Sequence, residues 1–122
     1  NRDAAKKSAA SGIKYYIEVA NMPTTNDALE VLKEQKHMVI APSKAVNACG
    51  VAVSALEMAQ NAERLYWTAE EVDAKMHQIM ANIYHSSVAA AERYGLGYDL
   101  VAGANIVGFQ RVADAMMAQG IF

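Results

Sequence analysis

Two short apolar runs with a helical segment between them constrain the fold of this chain more than any other feature. The first run, 15–20, is aromatic and β-branched apart from Glu18, and the second occupies 38–41 and ends at Pro42. Such runs favour strands. Helical patterns precede, separate and follow them, and strands that alternate with helices pair in parallel through right-handed crossovers. We therefore predict an α/β fold with about two parallel strands, the first of them covered on both faces.

Helical spacing accounts for the rest of the chain, and the second half is predicted to be wholly helical. Gly12 is placed to end the first helix, and the segment Gly95-Leu96-Gly97 interrupts the pattern farther along. Thr68 and Glu71 match a capping box at the start of a long amphipathic helix. The predicted helices cover 1–11, 26–36, 43–61, 68–94 and 100–119.

Composition excludes several classes of function. The chain is 53% hydrophobic and 20% charged with a net charge of −2, so we expect neither a nucleic-acid nor a membrane partner. The single cysteine, Cys49, cannot form an internal disulfide, fits a reducing compartment such as the cytoplasm, and is expected to be a buried, inert thiol. The three histidines lack the spacing of zinc ligands, so no metal site is predicted.

The beginning of the chain indicates that more protein belongs beside it. It starts at Asn1 rather than at a methionine, within a helical pattern. Two strands alone are marginally stable in water. We therefore expect a fragment whose sheet continues in another part of a longer protein.

Polar side chains follow both predicted strands, where ligands bind in open α/β sheets. Asn21 follows the first strand, and Lys44 and Asn47 follow the second. In the predicted helix 43–61, Asn47, Val51 and Ser54 recur at helical spacing and share one face. An amide, a small apolar wall and a hydroxyl on one face can line a small polar ligand.

A purely structural explanation of these residues stays open at this point. Asn21 fits a turn, Asn47 can brace a helix against a strand, Lys44 can be a solvated charge, and Ser54 can bond to its own backbone. The helix is nearly all small and apolar and is predicted to be buried, where an unpartnered amide or hydroxyl costs about 1–3 kcal/mol. Either the protein or a ligand must satisfy these groups.

Several motifs carry a resemblance to a known family. They are Val19–Thr25 (VANMPTT), Ala41–Ala48 (APSKAVNA), Val51–Asn61 (VAVSALEMAQN) and Gly103–Phe109 (GANIVGF). In register over essentially the whole chain, they resemble the C-terminal quarter of the hexameric bacterial glutamate dehydrogenases of the Glu/Leu/Phe/Val dehydrogenase family, most of all the clostridial NAD type.

The resemblance implies a fold and an activity. Residues 1–44 would form the C-terminal half of a Rossmann-like coenzyme domain, and 45–122 a helical region that crosses back toward a substrate domain outside this chain. The reaction would be the reversible oxidative deamination of L-glutamate to 2-oxoglutarate and ammonia, with NAD or NADP as coenzyme, in a cytoplasmic homo-hexamer.

The resemblance also implies roles for individual residues. Asn21 and Asn47 would contact the coenzyme near its nicotinamide, Ser54 would hydrogen-bond the side-chain carboxylate of the substrate, and Val51 would be an apolar contact one turn earlier. The family's catalytic lysine and aspartate belong to the N-terminal domain, so no catalytic residue is expected in this chain and the chain alone is expected to be inactive. Cys49 and Ala55 stand where the family usually or often has glycine, which adds bulk near the backbone.

Two other functions compete with this one. A leucine, phenylalanine or valine dehydrogenase of the same family would need an apolar side-chain pocket. The polar hydroxyl of Ser54 argues against such a pocket. A non-enzymatic α/β helical interaction module would have Lys44, Asn47 and Ser54 satisfied internally, with no cleft beside them.

Overall fold

The computed structural model describes residues 1–120, which form six helices and two strands. In chain order these elements are α1 (Arg2–Ala10), β1 (Tyr15–Ile17), α2 (Asn26–Lys33), β2 (Val39–Ala41), α3 (Ser43–Val46), α4 (Ala48–Glu63), α5 (Ala69–Arg93) and α6 (Leu100–Gln119). The predicted α/β order followed by an all-helical region is confirmed. Residues 121 and 122 of the predicted region 45–122 lie outside the described residues.

The two strands pair in parallel, as predicted, with Tyr15 opposite Val39 and Ile17 opposite Ala41. The first strand ends at Ile17 and not at residue 20. The N–H of Glu18 still donates to the carbonyl of Ala41 at 3.0 Å. The next N–H of the second strand that faces β1 belongs to Ser43, and it donates to the side chain of Glu18, so the backbone ladder ends here.

The core of the α/β part lies on one face of the sheet, against α1 and α2. Leu32 and Ala28 of α2 are 0% and 1% exposed, and Ile40 of β2 packs with them. Side chains alternate between the two faces of a strand, and Tyr15 and Ile17 of β1 are exposed on the other face. The prediction that both faces of β1 are covered is therefore wrong for the described residues, in which helices α1 and α2 cover only one side.

The predicted helix 43–61 is two helices, because the backbone changes at Asn47. Asn47 has φ −83° and ψ 0°, and it is at once the C-cap of the one-turn helix α3 and the N-cap of α4. Helix α4 contains no buried residue, and Val51 is 77% exposed. The prediction of a buried helix is wrong for residues 1–120, in which α4 contacts mainly α5 and leaves its opposite face uncovered.

Helix α5 begins and ends as its sequence predicts. Thr68 and Glu71 form the reciprocal capping box, with Glu71 N–H donating to Thr68 Oγ1 at 3.2 Å and Thr68 N–H donating to Glu71 Oε2 at 2.7 Å. After the helix, Gly95 and Gly97 have φ values of +71° and +63°, which glycine adopts without strain. This turn directs the chain back so that α6 packs along α5.

The start of α6 is anchored on the α/β part. Asp99 caps the helix by accepting the N–H of Ala102 at 2.9 Å, and its other carboxylate oxygen lies 2.9 Å from Nζ of Lys33 on α2. Val101 packs against the core cluster around Leu32. These contacts hold the start of α6 against α2 and β2, and the long helical hairpin of α5 and α6 with it.

Candidate functional site at the carboxyl edge of the sheet

Asn21 and Asn47 are in direct contact at the carboxyl edge of the sheet. Nδ2 of Asn47 donates to Oδ1 of Asn21 at 2.6 Å, although the residues are 26 positions apart in the sequence. The contact forms because parallel strands end at the same edge, so the segments that follow β1 and β2 leave the sheet side by side. The structure thus brings together the two residues that the family resemblance assigns to the coenzyme.

Asn47 is placed by the single turn of α3. Pro42 is in extended conformation at φ −75° and ψ 145° and starts the turn, and the N–H of Asn47 ends it by donating to the carbonyl of Ser43 at 2.8 Å. The N–H of Ser43 donates to Oε2 of Glu18 at 3.1 Å. The turn is therefore tied to the residue that directly follows β1.

Asn21 is placed by a tight loop after β1. Met22 has a φ of +45°, and the hydroxyls of Tyr16 and Thr24 share a hydrogen bond of 2.9 Å that fastens the loop to the strand. Pro23 further restricts the loop, because its ring fixes φ. The side chain of Asn21 is consequently presented at the edge, facing Asn47.

The asparagine pair retains unused hydrogen-bonding capacity. An asparagine side chain carries two N–H donors and an oxygen that accepts. The mutual bond uses one donor of Asn47 and one acceptor site of Asn21, which leaves donors on both residues and the oxygen of Asn47. Both side chains are uncharged, so the pair is suited to binding an amide or hydroxyl group and not to proton transfer.

Ser54 and Val51 lie farther along α4 and do not reach the asparagine pair. The Ser54 hydroxyl donates to the carbonyl of Gly50 at 3.2 Å, within its own helix, and both Ser54 and Val51 are exposed. The seven positions from Asn47 to Ser54 correspond to about 10 Å along a helix axis. The two substrate candidates thus form an open stretch of surface, with Val51 about one turn and Ser54 about two turns beyond Asn47.

Lys44 connects the site to α6. Its Nζ donates to Oδ1 of Asn105 at 2.5 Å. Beside this bond a groove of about 280 Å³ runs between α5 and α6, where Lys44, Ser86 and Arg111 are among the lining residues. Asn47, Ser54 and Lys44 each make a hydrogen bond within the chain, as the interaction-module alternative predicts, but the groove beside Lys44 is a cleft that this alternative does not predict.

Two residues of this region were not singled out from the sequence. Asn105 lies within a family motif but has no role assigned by it, and no local pattern points from it to Lys44. Glu18 is conspicuous in the sequence only as an exception in an apolar run. This exception could have identified Glu18 from the sequence, because a carboxylate in a run that is predicted to be buried needs a specific partner.

Cys49 is half-buried, so the prediction of a buried thiol is wrong. It belongs to the open first turn of α4, beside Gly50, where an added Cβ atom would meet nothing within 4 Å. Among residues 1–120, no group of three histidine, cysteine or acidic side chains is arranged to hold a metal ion. Within the same residues no helix combines the length and apolar character of a membrane span.

A strongly shifted titratable group, Tyr98, lies away from the asparagine pair. The hydroxyls of Tyr98 and Tyr84 share a hydrogen bond of 2.9 Å. This bond, followed by burial, raises the pKa of Tyr98 to about 12. The shared hydrogen bond makes Tyr98 a structural link between α5 and the turn before α6.

Comparisons with known proteins show which family the sequence matches. The family model for Glutamate/Leucine/Phenylalanine/Valine dehydrogenase matches residues 1–120. The NAD-specific glutamate dehydrogenase of Clostridium symbiosum is 71% identical over 98% of this chain and 26% of its own length. The NADP-specific glutamate dehydrogenase of Escherichia coli strain K12 is 54% identical, again over 98% of this chain and 26% of its own.

Solved structures share the fold as well. One glutamate dehydrogenase aligns with a TM-score of 0.94 at 71% identity, over 98% of this chain and 26% of that one. A hetero-hexameric glutamate dehydrogenase from Thermus thermophilus, in a Leu-bound form, aligns with a TM-score of 0.89 at 25% identity, over 100% of this chain and 28% of that one. The chain thus spans about a quarter of the length of these relatives. Because the family model matches residues 1–120, the chain belongs to the Glutamate/Leucine/Phenylalanine/Valine dehydrogenase family.

Proposed function

We propose that this chain is part of an oxidoreductase that catalyses the reversible oxidative deamination of L-glutamate to 2-oxoglutarate and ammonia with NAD or NADP. The observation that carries the proposal is the contact of Asn21 with Asn47 at the carboxyl edge of two parallel strands. The relatives that are 71% and 54% identical to this chain are named NAD-specific and NADP-specific glutamate dehydrogenases. Their names support the reaction and both coenzymes.

In this proposal the asparagine pair holds the nicotinamide end of the coenzyme. The nicotinamide carries a carboxamide, and the free N–H groups of both residues and the free oxygen of Asn47 complement such a group. When bound, the coenzyme supplies the chemistry by accepting a hydride from the substrate. The asparagines orient it, and their mutual bond limits the positions that either side chain can adopt.

Ser54 and Val51 are proposed to bind the glutamate side chain. The Ser54 hydroxyl needs only a rotation about χ1 to exchange its bond with the Gly50 carbonyl for one with a carboxylate. Val51 is 77% exposed on the preceding turn and offers the methylene groups of the substrate an apolar contact. A hydroxyl that reads a carboxylate selects glutamate over leucine, phenylalanine and valine, whose side chains leave it unpaired.

The rest of the proposal concerns the complete protein. Residues 1–44 would close a Rossmann-like coenzyme domain, 45–122 would lead back to the substrate domain, and the catalytic residues would come from that domain, so that none lies in this chain. The complete protein would be a cytoplasmic homo-hexamer. The exposed face of β1, where Tyr15 and Ile17 are uncovered, supports a further covering layer in the complete protein, and the free edges of the two-stranded sheet leave room for more strands.

An assay of the complete protein tests the reaction. We expect L-glutamate to drive the reduction of NAD, NADP or both, with leucine, phenylalanine and valine far less effective. Turnover with leucine, phenylalanine or valine in preference to glutamate would favour the alternative dehydrogenases. Lack of turnover with every amino acid and both coenzymes would overturn the proposal and favour the interaction module.

A Ser54→Ala variant of the complete protein tests the carboxylate contact. Because a hydrogen bond to a charged group is worth about 1.5–3 kcal/mol, kcat/KM for glutamate should fall roughly tenfold to hundredfold. Ser11→Ala is the matched control, since the Ser11 hydroxyl also bonds back to its own backbone, at 2.7 Å to Ser8, but at the end of α1. Equal kcat/KM for the two variants would exclude the role of Ser54.

A further inference from the structure

Glu18 is the one charged side chain in the apolar run that contains β1, and it is buried, with 9% of its surface exposed. It lies at the carboxyl edge of the sheet, where its backbone N–H makes the last bond of the ladder, to Ala41. Its side chain reaches across to the next segment and accepts the N–H of Ser43 at 3.1 Å. Burying a carboxylate costs more free energy than burying an apolar side chain, so packing alone does not explain why a glutamate occupies this position.

The bond from Glu18 closes a ring of contacts that includes the asparagine pair. Glu18 holds the N–H of Ser43, the carbonyl of Ser43 accepts the N–H of Asn47 at 2.8 Å, and the side chain of Asn47 donates to Asn21 at 2.6 Å. Asn21 follows Glu18 by three residues, which completes the ring through the backbone. Three hydrogen bonds thus set the distance between the segments after β1 and β2.

The ring is needed because α3 is a single turn of four residues, Ser43–Val46. A helix this short has almost no stability of its own, so its orientation depends on outside contacts. Glu18 fixes the first residue of the turn, and Asn47 is attached at its other end. A shift of α3 would move the amide of Asn47 away from Asn21.

We propose that Glu18 is a positioning residue that orients α3 and thereby holds Asn47 against Asn21 for coenzyme binding. The inference rests on the proposed function. Glu18 itself does not touch the coenzyme in this proposal and acts only through Ser43. A glutamine at this position retains an oxygen that can accept the Ser43 N–H, whereas a methionine of similar length does not.

The test compares variants of the complete protein: Glu18→Gln, Glu18→Met, Asn47→Ala and the double variant Glu18→Met/Asn47→Ala. Coenzyme affinity is measured by fluorescence titration with NADH and NADPH, which needs no turnover, alongside kcat and KM for each coenzyme. We expect Glu18→Met to weaken coenzyme binding about tenfold, and Glu18→Gln to stay within about twofold of the parent. In the Asn47→Ala background, Glu18→Met should add less than about twofold, because its effect passes through Asn47.

A merely structural role would lower the unfolding temperature of Glu18→Met without changing coenzyme affinity, or would weaken binding equally with and without Asn47. Either result would overturn the proposal. If Glu18→Met does not fold, Ser43→Pro replaces it, since proline is tolerated in a first helical turn and lacks the N–H that Glu18 accepts. A Ser43→Pro variant that binds coenzyme like the parent would overturn the proposal too.

The titration separates this inference from the proposed function. A complete protein that binds NADH or NADPH but does not oxidise glutamate would contradict the reaction and leave the variant series to decide the role of Glu18. A complete protein that binds neither coenzyme would overturn both proposals. A parent that is active and a Glu18→Met variant of equal affinity would overturn the role of Glu18 alone.

Discussion

At the scale of single residues, Asp99 shows how one side chain joins two parts of this fold. Its carboxylate caps α6 through the N–H of Ala102 and pairs with Lys33 of α2. Burial acts to raise the pKa of Asp99, but the backbone N–H of Ala102 and the Lys33 ammonium outweigh it, and the pKa is lowered. The charged form is therefore the one that stabilises the folded chain.

Two replacements of Asp99 should reduce the free energy of unfolding by different amounts. We expect Asp99→Ala to lower the free energy of unfolding at pH 7 by about 1–2 kcal/mol, because it removes both the cap and the ion pair. Asp99→Asn should cost less, since asparagine caps as well as aspartate. Urea unfolding of the complete protein measures both, and an Asp99→Asn variant as unstable as Asp99→Ala would show that the cap contributes nothing.

The same residue gives a pH dependence with a definite sign. The folded-state pKa lies below the unfolded value of about 3.9, so the stabilisation from Asp99 is present above that value. It is lost as the pH falls through the lower, folded-state pKa. The difference in unfolding free energy between the parent and Asp99→Ala should consequently shrink on acidification from pH 5 to about pH 2, and a constant difference would contradict this prediction.

At the scale of elements, the packing of α5 against α6 depends on Gly103. A Cβ atom at Gly103 would lie 2.0 Å from the carbonyl oxygen of Ser87, much closer than real contacts allow. Ser87 is itself buried and its hydroxyl donates to the carbonyl of Ile83 at 2.8 Å, so it cannot easily yield. The two helices approach this closely only because Gly103 has no side chain.

A methyl group at this crossing should separate the helices. We expect Gly103→Ala to lower the free energy of unfolding by about 1–3 kcal/mol or more, as in other overpacked cores. Gly108→Ala is the matched control on the same helix, because a Cβ there meets nothing within 4 Å. Alanine at 108 should stabilise the helix by about 0.5–1 kcal/mol. Thermal unfolding of both variants measures these effects. Unfolding temperatures that change in the same direction for both variants would contradict the close contact of α5 with α6 at Gly103.

At the scale of the whole molecule, the described chain leaves long apolar surfaces uncovered. One surface lies on β1 and the residues after it, a second on the free side of α4, and a third on α6. Their exposed residues include, in that order, Ile17 and Val19, Val51 and Met58, and Phe109 and Met117. Large apolar side chains exposed in such number indicate surfaces that another part of a protein or a partner covers. The relatives, of which this chain spans about a quarter, contain enough additional chain to do so.

The uncovered surfaces can be tested by comparing dye binding to this chain alone with dye binding to the complete protein. Expressed alone, the 122-residue chain should bind the dye ANS with much stronger fluorescence per mole than the complete protein, because its apolar faces are accessible. The complete protein at the same molar concentration and pH is the control. Equal fluorescence from both would mean that these faces stay open in the complete protein as well.

The sequence by itself determined the features that depend on neighbouring residues. Local patterns predicted the strands β1 and β2, and Thr68 with Glu71 predicted the start of α5, because strand propensity and capping act within a few residues. The parallel pairing followed from the general rule for strands that are joined by a helix. The family motifs identified the segments around Asn21 and Asn47 for the same reason, since they are short and continuous. The roles of Asn21, Asn47, Val51 and Ser54 stay predictions for the experiments above.

Only the tertiary structure decided what those segments touch. It placed Asn47 against Asn21, gave the carboxylate of Glu18 to Ser43, and brought Gly103 onto Ser87. It also divided the predicted helix 43–61 at Asn47 and left α4 exposed. These features follow from how strands and helices pack over sequence separations of sixteen residues or more, and propensities that act within a few residues carry no information about such contacts.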